Sequence, residues 1–124
     1  MTVDDPLRIL EAGIRGLVRF AAQRPELSRI MMHEATVASD RLDWLVEERI
    51  GELFSSLTTS WAAAASAGQV PDVDPRVLYH SLSGSATLLY ANAPEADRLG
   101  VSINEELVAA HEDALVRLFL GDTT

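Results

Sequence analysis

The side chains of this sequence best suited to acid–base or metal chemistry are three histidines, His33, His80 and His111. Helical di-iron sites place a Glu three residues before each liganding His, but here all three of those positions are apolar. We therefore expect no bound metal. His80 and His111 occur in apolar stretches, so they are expected to be hydrogen-bonded core or interface residues. Two alternatives remain for His33, which precedes Glu34: the edge of a pocket or an exposed position.

A serine nucleophile is superficially suggested by Ser83-Gly84-Ser85. No strand-like segment leads into this triplet, although the nucleophile turn of a hydrolase requires one. The sequence also lacks a phosphate-binding glycine loop and a dinucleotide-binding fingerprint. We therefore predict that the chain is not an enzyme and uses no cofactor. The small residues favour close approach of this segment to another helix.

Aromatic residues are concentrated on the two segments that carry no charge, residues 53–67 and 77–94. Tyr79, Ser83, Ala86 and Tyr90 share one helical face, with small residues between two large ones. Such a row indicates either a concave ligand site with hydroxyl groups at its rim or an ordinary core. From it we predict a mostly apolar cavity for an apolar or aromatic ligand. Its predicted lining is Met31, Phe54, Leu57, Trp61, Tyr79, Ser83 and Ala86.

The elements that must position these residues are all helical, since apolar residues recur at helical spacing and no segment alternates as a strand does. Five helices are predicted, over residues 6–22, 25–36, 40–67, 75–91 and from a cap at Ser102 to 120, with a single extra turn at 95–99. Asp or Ser caps and prolines at first helical positions mark several starts. In the last helix we expect an inner row of Leu107, His111, Ala114, Leu115 and Leu118.

Two glycines lie within the first predicted helix, at Gly13 and Gly16, in one row with Ile9 and Phe20. Each glycine costs about 1 kcal/mol relative to Ala in a helix, so a structural reason is expected. The row indicates either close packing against another helix or a hollow for a ligand.

Composition limits the possible partners. The 124 residues suit one domain spanning residues 1–124, without cysteine and with a net charge of −9. An acidic chain is repelled by nucleic acid phosphates and by anionic membranes, so we expect it to bind neither. Residues 77–94 are too short and too polar to span a bilayer. No basic, apolar start resembles a signal peptide, and we therefore expect a cytoplasmic protein.

The charge-free segment 77–94 also predicts a partner. A surface helix normally carries a charged face, and a domain this small cannot easily bury a helix on all sides. We therefore predict a homodimer built mainly from the last two long helices. The predicted interface residues are His80, Gly84, Leu88, His111, Leu115, Leu118 and Phe119.

Several stretches resemble the C-terminal domain of TetR-like transcriptional repressors. They are residues 24–34 and 39–45, the loop 68–74 with the helix that follows it, and the ending 110–120. The resemblance covers about residues 5–121 and lies more in the order and lengths of the helices than in any one motif. It implies an effector pocket enclosed by the earlier helices and a four-helix bundle that the last two long helices form with those of a second subunit.

The sequence departs from that family at its start, since nothing in it corresponds to the family's helix-turn-helix head. We therefore expect either a fragment of a longer regulator or a truncated form that reaches operator DNA only through a missing N-terminal domain. Two further readings remain: a helical dimerisation module that binds no small molecule, and a small helical enzyme. An enclosed apolar cavity or a bound ligand would separate the first reading from the second.

Overall fold

All regular secondary structure in residues 5–121, which the computed structural model describes, is helical. The helix Asp40–Leu45 continues through a π-helical turn, Val46–Ile50, into the helix Gly51–Ser66, so the described residues contain six helices when these three segments are counted as one. The bounds are α1 Pro6–Gln23, α2 Pro25–Glu34, α3 Asp40–Leu45, α4 Gly51–Ser66, α5 Pro75–Ala91, α6 Ala93–Arg98 and α7 Glu105–Leu120. The all-α prediction is confirmed.

Local capping signals set the helix starts that the sequence predicted correctly. The Asp5 carboxylate accepts the Leu7 N–H at 3.1 Å, and the Asp74 carboxylate accepts the Arg76 N–H at 2.9 Å. Each cap precedes a proline in the first turn, where a missing N–H costs no helical hydrogen bond. The same Asp74 carboxylate binds the Arg76 guanidinium at 2.7 Å, and these hydrogen bonds lower the pKa of Asp74 to about 2.

Of the two predictions after α5, one is confirmed in outline and one is wrong. The helical turn predicted at 95–99 lies within the short helix α6, which begins two residues earlier because Pro94 occupies the first turn and leaves the helical hydrogen bonds intact. Helix α7 is capped by Asn104, whose side chain accepts the Leu107 N–H at 2.8 Å, and not by Ser102. Asn104 has the extended backbone of an N-cap and directly precedes the two glutamates of the first turn.

The π-helical turn interrupts what the sequence predicts to be one continuous helix over 40–67. Its hydrogen bond runs from the Gly51 N–H to the Val46 carbonyl, five residues back. A Cβ atom on residue 51 would lie 2.6 Å from that carbonyl oxygen, so the turn requires glycine. π-Helical turns of this kind are frequent at functional sites, and this one determines how α3 emerges from α4.

Replacing Gly51 with Ala is expected to lower the free energy of unfolding by about 1–3 kcal/mol, because the carbonyl must move away from the new methyl group. Gly16→Ala is the matched control, since a Cβ there meets nothing within 4 Å. It should raise stability by about 0.5–1 kcal/mol through helix propensity alone. Urea denaturation followed by circular dichroism measures both; equal effects of the two changes would contradict the role given to Gly51.

Helix α1 lies at the centre of the domain, packed against α4, α5 and α7. Leu10, Ile14, Val18 and Ala21 form its fully buried face. The two glycines of α1 lie in different surroundings. Gly13 supports close packing, because a Cβ there would lie 2.9 Å from Leu57 Cδ2, whereas Gly16 is exposed with open space beside it.

The inner face of α7 differs from the predicted one. Its buried residues are Val108, Glu112, Leu115, Val116 and Leu120, while Ala114 and Leu118 are exposed. The prediction favoured the most apolar row of the helix. The structure instead turns a carboxylate inward, because α1 supplies two arginines to meet it.

Candidate functional site

The outer face of α5 from Val77 to Leu88 is exposed and carries no charge, and Arg76 just before it is paired with Asp74. Val77, Ser81, Gly84, Ser85 and Leu88 lie along it at helical spacing, and Val77 and Leu88 are 64% and 48% exposed. His80 lies beside them and is also exposed. We call these six residues the α5 face.

The hydroxyl groups of the α5 face are already hydrogen-bonded within the helix. Ser81 donates to the Val77 carbonyl at 3.1 Å, and Ser85 donates to the Ser81 carbonyl at 2.8 Å. Covering these serines would therefore leave no unpaired hydroxyl donor, so burial carries little of the usual penalty for a polar group. The α5 face is accordingly suited to contact with another protein surface.

His111 joins α5 to α7. Its Nε2 lies 2.9 Å from the Ser85 carbonyl oxygen, and its Nδ1 lies 2.7 Å from the Tyr90 hydroxyl. A carbonyl can only accept, so Nε2 carries the proton in the neutral ring and Nδ1 accepts from Tyr90. Burial, reinforced by the negative charge of Glu112, raises the pKa of Tyr90 to about 12, which keeps this hydroxyl a donor. The hydrogen bonds fix α7 beside the α5 face.

The seven residues predicted for the dimer interface fall into two groups. His80, Gly84, Leu88 and Leu118 are exposed, with Leu118 at 78%, and are free to meet a partner. His111 and Phe119 are half-buried, and Leu115 lies within the core of the protomer itself. The exposed group lies on α5 and on the neighbouring α7.

The seven residues predicted to line a ligand site lie on α2, α4 and α5. Leu57, Trp61 and Ala86 belong to the buried core, and Met31 and Ser83 are half-buried. The Phe54 and Tyr79 rings meet edge to face with their centroids 5.1 Å apart. Burial raises the pKa of Tyr79.

One polar atom in this region has no hydrogen-bond partner. The indole Nε1–H of Trp61 is buried and pairs with no atom of residues 5–121, and the side chain as a whole is only 3% exposed. An unpaired buried donor costs about 1–3 kcal/mol, so such atoms are rare in native structures. A ligand with a hydrogen-bond acceptor would satisfy it.

A distinct cleft of about 200 Å³ lies between the end of α1 and the start of α7. Sequence reasoning did not anticipate it, since no motif marks its position. It is lined by Arg19, Ala22, Gln23, Ile103, Asn104, Glu105 and Val108, none of which belongs to the predicted ligand site.

The burial of the Glu112 carboxylate was also not predicted from the sequence. Glu112 is 5% exposed and pairs with Arg15, at 3.4 Å between Nη1 and Oε1, and with Arg19 through its other oxygen. Arg15 further contacts Asp113 at 2.8 Å and Glu11 at 3.0 Å, and these hydrogen bonds raise the pKa of Arg15. Glu112 is held by α1 as part of the fold and lies away from the α5 face.

Within residues 5–121, no three acidic or histidine side chains are grouped to hold a metal ion. His33 is exposed, as one of its two alternatives predicts. His80 is also exposed and its ring meets Tyr79 edge to face, with the ring centroids 5.2 Å apart. The helices of the described residues include none long and apolar enough to cross a membrane.

No family model, curated protein or solved structure matches the chain. The likeness to TetR-like domains therefore depends on the residues and the helix order alone.

Proposed function

We propose that this chain is a homodimerisation and effector-binding domain of a TetR-like transcriptional regulator. The observation that carries the proposal is the exposed, charge-free α5 face; Leu118 on the neighbouring α7 is exposed as well. Burying this surface in both protomers is expected to remove more than about 1,000 Å² from water in total.

The charge distribution supports pairing at this surface. Two copies that each carry a net charge of −9 repel one another over most of their surfaces. The α5 face adds nothing to that repulsion, and its hydroxyl groups are satisfied internally. Helices α5 and α7 are also the last two long helices, in keeping with the arrangement that the family resemblance implies.

Disulfide cross-linking tests the interface directly. The chain contains no cysteine, so a single introduced cysteine can pair only with the same residue of another protomer. Ser81→Cys, Gly84→Cys and Leu88→Cys, made one at a time, should include a position whose Cα lies within about 7 Å of its symmetry mate, the reach of a disulfide. Mild oxidation should then give a covalent dimer on a non-reducing gel. Ala63→Cys, on the exposed side of α4, is the control. Absence of cross-linking at all three positions would contradict the proposed face.

Effector binding is supported by the buried, unpaired Trp61 N–H on α4. We propose that the ligand is an apolar or aromatic molecule with one hydrogen-bond acceptor. Its binding would favour one arrangement of the dimer, and so one placement of any DNA-binding domain attached to it. The acidic domain itself would not hold duplex DNA.

Trp61→Phe is expected to weaken ligand binding by about five- to tenfold, since it keeps most of the ring and removes only the N–H donor. The measurement is a calorimetric titration with a panel of aromatic ketones and their matched hydrocarbons. Ketones should bind the wild type more tightly than the hydrocarbons do, and Trp61→Phe should abolish that difference. Equal affinity for both sets in the wild type would contradict the proposed acceptor.

A further inference from the structure

Two further exposed apolar side chains lie on α3 and in the loop before it. Trp44 is 56% exposed and Val37, just before the helix, is 61% exposed. Buried large aromatic side chains are usual, so a tryptophan this open to water is an informative exception. Helix α3 is held mainly through the π-helical turn that joins it to α4, so its outer side projects from the domain.

Carboxylates surround Trp44. Asp40 precedes it by four residues, which places Asp40 on the Trp44 side of α3, and Glu47 and Glu48 follow it within the π-helical turn. Together with Asp43, these residues are exposed, and within residues 5–121 none of the four has a cationic partner. Two arginines are near in sequence: Arg41 is held by Glu34 at 3.1 Å, and Arg49 directly follows Glu48.

The negative charge of this surface indicates which kind of partner could bind to it. Residues 40–52 carry five carboxylates and two arginines. A second copy of the chain would bring the same acidic surface and be repelled, whereas a segment with apolar and basic side chains would match both features. A Lys or Arg over the Trp44 ring would gain a cation–π contact as well.

We propose that Val37, Asp40, Asp43, Trp44, Glu47 and Glu48 form a docking surface for a cationic amphipathic helix of another protein. Val37 and Trp44 supply the apolar contact, and the carboxylates orient the helix. Gly51 contributes indirectly, because the π-helical turn that it permits sets the direction of α3.

The test uses the full chain and a short amphipathic peptide of Leu and Lys at helical spacing, with binding measured by calorimetry and located by amide chemical shifts. The shifts should move in α3. Trp44→Ala and the pair Glu47→Gln/Glu48→Gln should each weaken binding about tenfold. The pair Glu95→Gln/Asp97→Asn removes the same charge from α6 and should weaken binding less than about twofold.

Three results would overturn the proposal: no binding of the peptide, shifts centred outside α3, or equal loss of affinity in the α6 control pair. The last would mean general attraction of a basic peptide to an acidic protein. The same peptide with Glu in place of Lys should not bind, and its binding would remove the charge argument.

Discussion

Arg19→Met is expected to lower the free energy of unfolding by about 3 kcal/mol, because it leaves the carboxylate of Glu112 buried without its closest partner. Glu112 is 5% exposed, and Arg15 remains at 3.4 Å from its other oxygen. Glu112→Gln should cost less, about 1 kcal/mol, since it removes the buried charge and leaves the partly exposed arginines to water. Urea denaturation of each variant measures these differences.

The double variant Arg19→Met/Glu112→Gln separates this account from simple loss of packing. Once the carboxylate is neutral, the loss of Arg19 should matter less, so the double variant should be more stable than the sum of the two single effects predicts. Arg8→Met is the control, because Arg8 is exposed and lies 4.0 Å from Asp5, and it should change stability by less than about 0.5 kcal/mol. Additive effects in the double variant would contradict the buried ion pair.

Gly84→Arg is expected to dissociate the dimer, raising its dissociation constant more than about a hundredfold. A Cβ at Gly84 meets nothing within 4 Å, so the protomer should accommodate the larger side chain and keep its helical content. In a symmetric dimer the two arginines would face one another across an uncharged surface. Gly16→Arg makes the same change at another open helical glycine, on α1, and should leave the dimer intact.

The starts of α1 and α5 could be read from the sequence because their causes are local. An Asp cap followed by proline is contained within a few residues, and Asp5 and Asp74 both act as predicted. The end of α4 is also set locally, since Gly68 just after it has a φ of 75°, which favours glycine. The start of α7 was misassigned because two neighbouring residues, Ser102 and Asn104, both suit a cap.

The features that the sequence did not reveal depend on distant residues or on the backbone. Glu112 meets Arg15 across 97 positions of the chain, and hydropathy alone assigns a glutamate to the outside. Once Glu112 turns inward, the rest of α7 turns with it, which exposes Leu118. The π-helical turn leaves the apolar pattern unbroken and is marked only by a glycine.

The candidate site was predicted in part. The absence of charge from residue 77 onward in α5 was visible in the sequence, and the structure adds which residues remain open on its outer face and that Ser81 and Ser85 are already paired. The unpaired Trp61 N–H was not predictable, because it depends on what surrounds the ring in three dimensions. Whether the seven aromatic and apolar residues enclose a cavity for a ligand stays a prediction.

Sedimentation equilibrium of the full chain tests dimerisation through the α5 face most directly. The protomer mass is 13.5 kDa, and a species of twice that mass should predominate in the micromolar range. Gly84→Arg should sediment as the protomer, and Gly16→Arg should behave as the wild type. A wild-type chain with native helical content that sediments as a monomer throughout this range would contradict the dimer, and a Gly84→Arg variant that remains dimeric would contradict the face assigned to it.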